Sequence, residues 1–137
     1  MQRLLVVLAF TLGIGLTMPA RVMFAHHAFA AEFDAKQPIE LKGTVAKMDW
    51  VNPHAWLYID VKGPDGKVVN WALEFGSPNA LYKRGFRKET LPVGTEVAVS
   101  AYRAKNGTPT AHAEKVRLLN GTDLFNASSG TGTPYPQ

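Results

Sequence analysis

The feature that most constrains the fold is a series of short segments in which apolar and polar residues alternate. A period of two places one face of a β-strand on a core and turns the other face outward. The first segment has Ile39, Leu41, Gly43 and Val45 on its inward face. The later inward sets are Ala55, Leu57, Ile59 and Val61; Val69, Trp71, Leu73 and Phe75; and Val97, Val99 and Ala101. In the third segment the alternation turns Asn70, Ala72 and Glu74 outward. A fifth strand is expected at about Thr110 to Leu118.

Turn and helix signals separate these predicted strands along the chain. Residues 63–66 (Gly-Pro-Asp-Gly) and 105–107 (Lys-Asn-Gly) predict tight turns. Ser77 and Pro78 predict a helix start and Gly85 its end, so one short helix lies between the third and fourth strands. We therefore predict a mainly β fold, a five-stranded OB-like Greek-key barrel, with a small β-sandwich as the alternative. Gly43 within the first strand is expected to permit the bend of a barrel corner.

The N-terminus predicts export. A short positive start at Arg3 precedes an apolar run from Leu4 to Leu16, which is the layout of a secretory signal peptide. The run is short for a membrane span, although an uncleaved N-terminal anchor is the alternative. Cleavage after Ala25 is favoured over cleavage after Ala30. The mature protein is then periplasmic or secreted, with no stable membrane span.

The chain divides into a signal peptide (1–25), an N-terminal arm (26–38), a barrel (39–120) and a flexible C-terminal tail (121–137). The formal charge of +4 falls to +2 when the two arginines of the signal peptide are removed. This charge is too small to indicate nucleic acid, and export removes most such partners. The absence of cysteine excludes disulfides and thiolate sites.

Several segments carry a family resemblance. They are residues 26–34 (HHAFAAEFD), 41–45 (LKGTV), 50–54 (WVNPH), 70–79 (NWALEFGSPN) and 102–107 (YRAKNG). The chain resembles an uncharacterised family of small exported bacterial proteins, defined only as a domain of unknown function. The resemblance implies an exported barrel domain. It brings no established activity and no catalytic residues.

The four histidines are the main chemical signal. Cleavage after Ala25 gives His26 both a free amine and an imidazole, and His27 adds a second imidazole. This nitrogen-rich, thiol-free set suits Cu(II), Ni(II) or Zn(II), and copper or zinc is the expected cofactor. We hypothesise that the arm folds back so that His26 or His27 meets His54, together with Glu32 or Asp34. The alternatives are an exposed histidine pair without a role and a His54 that only braces its corner.

The fourth histidine, His112, reads as an ordinary strand residue between two alanines. A metal-binding role for His112 requires the fifth strand to lie beside the arm.

A second hypothesis rests on aromatic and amide side chains. The candidate ligand-binding residues are Trp50, Asn52, Trp56 and Tyr58, with Tyr102 nearby. OB barrels use such faces to stack bases or sugars, so the ligand would be a small molecule, a glycan or an envelope protein. Asn52 has the alternative role of bracing its turn. A basic cluster (Lys83, Arg84, Arg87, Lys88) is either an anion site or a solvated face.

The sequence gives little support to an enzymatic function. The sequence contains no glycine-rich phosphate loop and no Gly-x-Ser-x-Gly elbow. The spacing of Glu32, Asp34, Asp60 and Glu74 does not predict a carboxylate pair. We therefore expect a non-enzymatic exported binding or accessory protein, and a purely structural role beside an envelope complex is the third possibility.

Overall fold

The computed structural model of the chain describes residues 29–126. The predicted signal peptide, His26, His27 and residues 127–137 lie outside the described residues. The described part is mainly β, with six strands in one sheet and few short helices. The strands are β1 (Phe33–Asp49), β2 (Trp56–Lys62), β3 (Val68–Glu74), β4 (Glu96–Ala104), β5 (Thr110–Leu118) and β6 (Asp123–Asn126). Helix α1 spans Pro78–Lys83, a 3-10 helix spans Lys88–Thr90, and residues 29–32 are helical.

The sheet closes on itself through one parallel pairing. Its strand order is β3-β2-β1-β4-β5-β6, and β3 additionally pairs with β5. The β3–β5 pairing is parallel, whereas the other neighbouring pairs are antiparallel. The first five strands therefore form a ring. The sixth strand, β6, lies outside the ring and pairs with residues 115–117 of β5.

The core lies inside this ring and follows the alternating pattern. Leu57 and Ile59 of β2 and Val97 and Val99 of β4 are fully buried, as the period of two predicts. Leu81 of α1 is also buried against this cluster. At β3 the pattern holds only in its second half, because Leu73 and Phe75 are buried while Val69 is exposed.

Helix α1 starts and ends where the sequence predicts. The Ser77 side-chain oxygen accepts a hydrogen bond from the Ala80 backbone N–H at 3.3 Å, and Pro78 is the first helical residue. Gly85 follows the helix with φ of +82°, a conformation that glycine adopts without a side-chain clash. The helix is attached to the core through Leu81, which packs in the buried cluster.

Two strands differ from the prediction. β1 begins at Phe33, inside the predicted arm, and Phe33 pairs with Ala104 of β4. A sixth strand, Asp123–Asn126, occurs where a flexible tail was predicted, so the count of five strands was wrong. Both additions lack regular alternation, because residues 34–38 are largely exposed and β6 has only four residues. Their pairing depends on the neighbouring strand rather than on their own sequence.

Gly43 lies where the backbones of β1 and β2 approach each other closely. A Cβ atom built on Gly43 would lie 2.6 Å from the carbonyl oxygen of Asp60 in β2. The β1–β2 register shifts between Val45 and Lys47, two residues further along. Glycine is therefore required here by the packing of one strand on the other.

Candidate functional site

The end of β3 carries a buried carboxylate. Glu74 is only 5% exposed, although the alternation predicts an outward position for it. The side chain does lie on the face away from Leu73, as alternation requires, but residues 29–33 cover that face. The outer surface of the sheet is thus buried at this point by a second layer that the strand pattern does not reveal.

Four strands align their side chains in one row at this end of the sheet. Glu74 is paired with Trp56 of β2 on one side and with His112 of β5 on the other. His112 is in turn paired with Tyr102 of β4. Residues directly opposite each other in neighbouring strands point to the same face. The register therefore brings an indole, a carboxylate, an imidazole and a phenol side by side.

The loop between β1 and β2 adds a second imidazole. Two backbone hydrogen bonds, Ala55 N–H to Gly76 C=O at 3.1 Å and Phe75 N–H to Ala55 C=O at 2.9 Å, fix this loop against the end of β3. His54 Nδ1 consequently contacts Glu74 Oε1. The other carboxylate oxygen, Oε2, lies 3.5 Å from Nδ1 of His112. Glu74 is therefore held between two imidazoles.

This arrangement places Nδ1 of each ring beside the carboxylate, and whether that nitrogen donates depends on the tautomer of the ring. An ionised carboxylate can only accept, so a neutral imidazole that is hydrogen-bonded to it through Nδ1 donates from that nitrogen. The second ring nitrogen, Nε2, then carries a lone pair that can bind a proton or a metal ion. The His54 side chain is 48% exposed and the His112 side chain 10%, so one ring is at the surface and the other is buried.

The helical segment 29–32 and the start of β1 form the cover of the site. The ring centroid of Phe29 lies 5.1 Å from that of His112 in an edge-to-face arrangement, and the Phe33 ring lies at 5.5 Å. Lys105 anchors the segment, because its backbone N–H donates to Glu32 C=O at 2.9 Å and its Nζ donates to Ala30 C=O at 2.5 Å. The arm therefore lies beside β5, which is the condition set for a role of His112.

A cavity of about 600 Å³ opens beside these residues. Its walls are largely aromatic and apolar, and two of its polar groups, His54 and His112, contact Glu74. The lining residues are Phe29, Glu32, Phe33, Val51, Asn52, Pro53, His54, Trp56, Glu74, Phe75, Gly76, Ser77, Ala80 and His112. The lining described contains two glutamates but no lysine or arginine, so it favours a cationic or hydrogen-bond-donating ligand over an anion.

The predicted site residues separate into two groups. Asn52, His54 and Trp56 line the cavity. Trp50 instead stacks on Phe86 beside the core, with ring centroids 6.4 Å apart. Tyr58 lies under the Lys47 ammonium, 5.3 Å from the ring centroid, and does not line the cavity.

The two candidate acidic partners also separate. Glu32 lines the cavity. Asp34 does not line it and forms a local turn, where the Lys36 backbone N–H donates to its carboxylate at 2.9 Å and holds the pKa of that group below its usual value. The imidazoles of His26 and His27 lie outside the described residues, so their predicted approach to His54 stays a prediction.

The basic cluster does not form a shared anion site at the cavity. Arg87 donates from one guanidinium nitrogen to the carbonyls of Tyr82 and Phe86, at 2.8 and 3.1 Å. Its guanidinium also lies 3.7 Å from the Tyr82 ring centroid. This arginine therefore caps the C-terminal end of α1 by donating to the Tyr82 carbonyl of its last turn. Lys83, Arg84 and Lys88 do not line the cavity either.

The chain matches a known family model over most of its length. The model, described as a family of unknown function (DUF6152), matches residues 15–113. The protein belongs to DUF6152. No curated protein and no solved structure matches the chain. The DUF6152 match contains all four histidines and Glu74.

Metal-binding groups and membrane-spanning helices are both absent from the described part of this DUF6152 protein. Among residues 29–126, no three histidine, aspartate or glutamate side chains form a group that could hold a metal ion. A metal site at this cavity therefore needs donors from elsewhere. In the same part of the chain, no helix has the length and hydropathy required to cross a membrane.

Sequence reasoning did not find Glu74 and His112 as members of the site. Their proximity depends on the parallel β3–β5 pairing, which joins residues 38 positions apart. A weaker signal existed for the cover, because Phe29 and Phe33 are four residues apart, a spacing that brings side chains together on a helix. The aromatic pair could thus have suggested a packed arm.

Proposed function

We propose that this DUF6152 member is an exported, non-enzymatic binding protein of the periplasm and that its ligand is a divalent transition metal ion. The observation that carries the proposal is the buried carboxylate of Glu74 between the imidazoles of His54 and His112, beside an open cavity. Buried charges are normally paired or placed next to a metal ion. Two imidazoles directed at one carboxylate supply nitrogen donors that Cu(II), Zn(II) and Ni(II) prefer.

The N-terminal histidines complete the proposed site. The described residues do not contain a three-donor metal group, so further donors are required. His27 precedes Phe29 by two residues, and Phe29 lines the cavity. Two residues of extended chain span at most about 7 Å, which limits how far the His27 backbone can lie from Phe29. Cleavage after Ala25 would add the amine of His26 as a further nitrogen donor.

Calorimetric titration of the processed protein with Cu(II) and Zn(II) tests this function. N-terminal sequencing must first establish the mature terminus, because the amine donor exists only after cleavage. We expect tight binding that weakens at least tenfold when His26 and His27 are both replaced by alanine. Val68→Ala, at an exposed position that does not line the cavity, is the control and should not change the affinity. Wild-type affinity weaker than roughly 50 μM for both metals would refute the proposal.

The size of the cavity supports a second candidate function. A volume of about 600 Å³ exceeds the space that a metal ion needs and is typical of small-molecule sites. The partly exposed rings of Phe29 and Trp56 provide aromatic walls on which a sugar or other flat ligand can stack. Quenching of tryptophan fluorescence by oligosaccharides in metal-free buffer would favour this candidate. The signal should come from Trp56 and disappear in Trp56→Phe, whereas Trp71→Phe is the control.

The proposed architecture is an OB-like Greek-key barrel. The ring runs β1-β2-β3-β5-β4 and α1 lies between β3 and β4, and both features support this assignment. In OB barrels, ligands bind on the sheet face and the loops beside it. The site described here occupies the loop before β2 and the adjoining ends of β3 and β5. An experimental structure in which β3 and β5 are not paired would contradict the assignment.

A further inference from the structure

The cavity beside Glu74 is acidic, although the chain as a whole has a net positive charge. The chain contains 15 lysine and arginine residues and 11 aspartate and glutamate residues. The cavity lining nevertheless contains Glu32 and Glu74 and, among the described residues, no lysine or arginine. The balance of charge at the cavity is therefore opposite to that of the chain. Such a surface attracts cations and repels anions.

Glu74 is the buried acidic group of the cavity. Its side chain is 7% exposed, whereas Glu32 lies at the surface. The ion-pair contacts of the Glu74 carboxylate are to His54 and His112, and an imidazole is charged only when it is protonated. Between neutral imidazoles, the charge of Glu74 has no cationic partner among residues 29–126. Because buried charges are normally paired, a cation in the cavity would supply the missing partner.

Glu74 also has unused capacity as a hydrogen-bond acceptor. An ionised carboxylate offers about four lone-pair sites. His54 contacts one carboxylate oxygen and His112 lies 3.5 Å from the other, so each oxygen has one imidazole neighbour. The two rings therefore use at most about half of the acceptor sites. The remaining sites suit a ligand group that carries several N–H donors, such as an ammonium group.

Aromatic rings beside the carboxylate complete a site for an organic cation. Phe29 and Trp56 line the cavity and are partly exposed. Trp56 is paired with Glu74 across β2 and β3, so the indole and the carboxylate lie on the same face of the sheet. Phe29 lies edge-to-face on the ring of His112. Aromatic rings attract cations and also bind apolar groups, so these two rings suit an ammonium group with an apolar body.

We infer that the cavity binds a small organic cation, a primary or secondary amine whose ammonium group donates to Glu74 and whose apolar body lies against Phe29 and Trp56. This inference rests on the second candidate function, the small-molecule site, and does not depend on metal binding. It assigns the charge and the donor character of the ligand, which the aromatic walls alone leave open. A sugar can stack on the same rings, but it brings no positive charge to the buried carboxylate.

Three probes that differ in one chemical group test the charge of the ligand. They are 2-phenylethylamine, the neutral 2-phenylethanol and the anionic phenylacetate, titrated calorimetrically into the processed protein in metal-free buffer near neutral pH. We expect the amine to bind with a Kd of about 1 mM or tighter, and at least about tenfold more tightly than the alcohol. Phenylacetate should bind more weakly than the alcohol. Equal affinities of the amine and the alcohol, or tightest binding of phenylacetate, would overturn the inference.

Substitutions of glutamate by glutamine locate the charge that the amine recognises. Glu74→Gln keeps the shape of the side chain and removes its charge, so it should weaken amine binding at least about tenfold and change the alcohol affinity much less. Glu32→Gln, at an exposed position of the lining, should weaken amine binding about two- to fivefold. Glu96→Gln is the matched control, because Glu96 is exposed on β4 and does not line the cavity.

Unchanged amine affinity in a folded Glu74→Gln protein would overturn the inference. If Glu74→Gln does not fold, equal amine affinities of the Glu32→Gln and Glu96→Gln proteins would overturn it instead.

Failure of this inference and failure of the small-molecule function give different results. If oligosaccharides quench the Trp56 fluorescence while the amine binds no better than the alcohol, the ligand is neutral and the inference alone fails. If neither the three probes nor the oligosaccharides bind, the small-molecule function fails as well. Metal titrations of the same protein decide the first proposed function independently of both results.

Discussion

Replacement of Gly43 by alanine is expected to destabilise the fold by a predictable amount. The new Cβ would lie 2.6 Å from the Asp60 carbonyl oxygen and 3.1 Å from a methyl carbon of Val61, so β1 and β2 must move apart. Forcing extra atoms into a packed site costs about 1–3 kcal/mol. Alanine also restricts the unfolded chain, which returns about 0.4–1 kcal/mol. We therefore expect a net loss of roughly 1–2 kcal/mol, or about 4–16 °C in melting temperature for a domain near 100 residues.

Circular dichroism during thermal and urea denaturation measures this loss. Lys42→Ala is the matched control, because Lys42 is the neighbouring residue of the same strand and its side chain is exposed. The control should change the free energy of unfolding by less than about 0.5 kcal/mol. A Gly43→Ala protein that melts within about 1 °C of the wild type would refute the close-approach argument. It would show that the two backbones separate without cost.

Three further predictions concern the core, the helix and a tyrosine. Leu57→Ala, at a fully buried position, should lower the free energy of unfolding in urea by about 2–5 kcal/mol, and a loss under 1 kcal/mol would contradict its place in the core. Ser77→Ala removes the acceptor for the Ala80 N–H and should cost about 1 kcal/mol in the same assay; unchanged stability would contradict the cap. A hydrogen bond to Glu114 raises the pKa of Tyr102 from 10.0 to about 12, so this contact stabilises the fold below pH 10 and is lost as the pH rises towards 12. Absorbance titration should show a tyrosine step near pH 12 that is missing in Tyr102→Phe, and its persistence there would refute the assignment.

Local periodicity explains why the centre of the fold was predictable. Alternation decides which side chains of a strand share a face, and this geometry does not depend on distant residues. The buried positions of Leu57, Ile59, Val97 and Val99 were therefore readable from the sequence. The cap at Ser77 was readable for a similar reason, since its hydrogen bond reaches only three residues along the chain.

Strand pairing at the edges was not predictable in this way. Residues 34–37, near the start of β1, lack alternating burial and lie in a register irregularity between the Phe33–Ala104 and Pro38–Tyr102 pairs, so it is pairing of the flanking residues with β4 that makes this stretch part of the sheet. The four residues of β6 are added to β5 in the same manner, by pairing of Val116 with Phe125 and its neighbours. Such segments form strands only when they pair with a neighbouring strand, and their own sequence pattern does not identify that neighbour.

Glu74 shows a different limit of the same reasoning. Alternation assigned its side chain to the correct face of β3, opposite Leu73. The inference that this face meets solvent was wrong, because the arm covers it with Phe29 and Phe33. Alternation along a strand distinguishes its two faces, but it does not indicate whether another part of the chain covers one of them. The same missing layer hid the burial of His112.

The contacts that close the ring are also the contacts that form the site. Glu74 and His112 meet only because β3 pairs with β5 in parallel, and His54 joins them only because its loop is hydrogen-bonded to Phe75 and Gly76. A buried carboxylate flanked by imidazoles contributes little to stability compared with apolar residues of equal volume, so the core does not require it. A ligand that binds both imidazoles, however, binds the closed ring and not the opened one, and by mass action it stabilises that closure. The proposed ligand binding would therefore give the polar group at the seam of the sheet a role that folding alone does not.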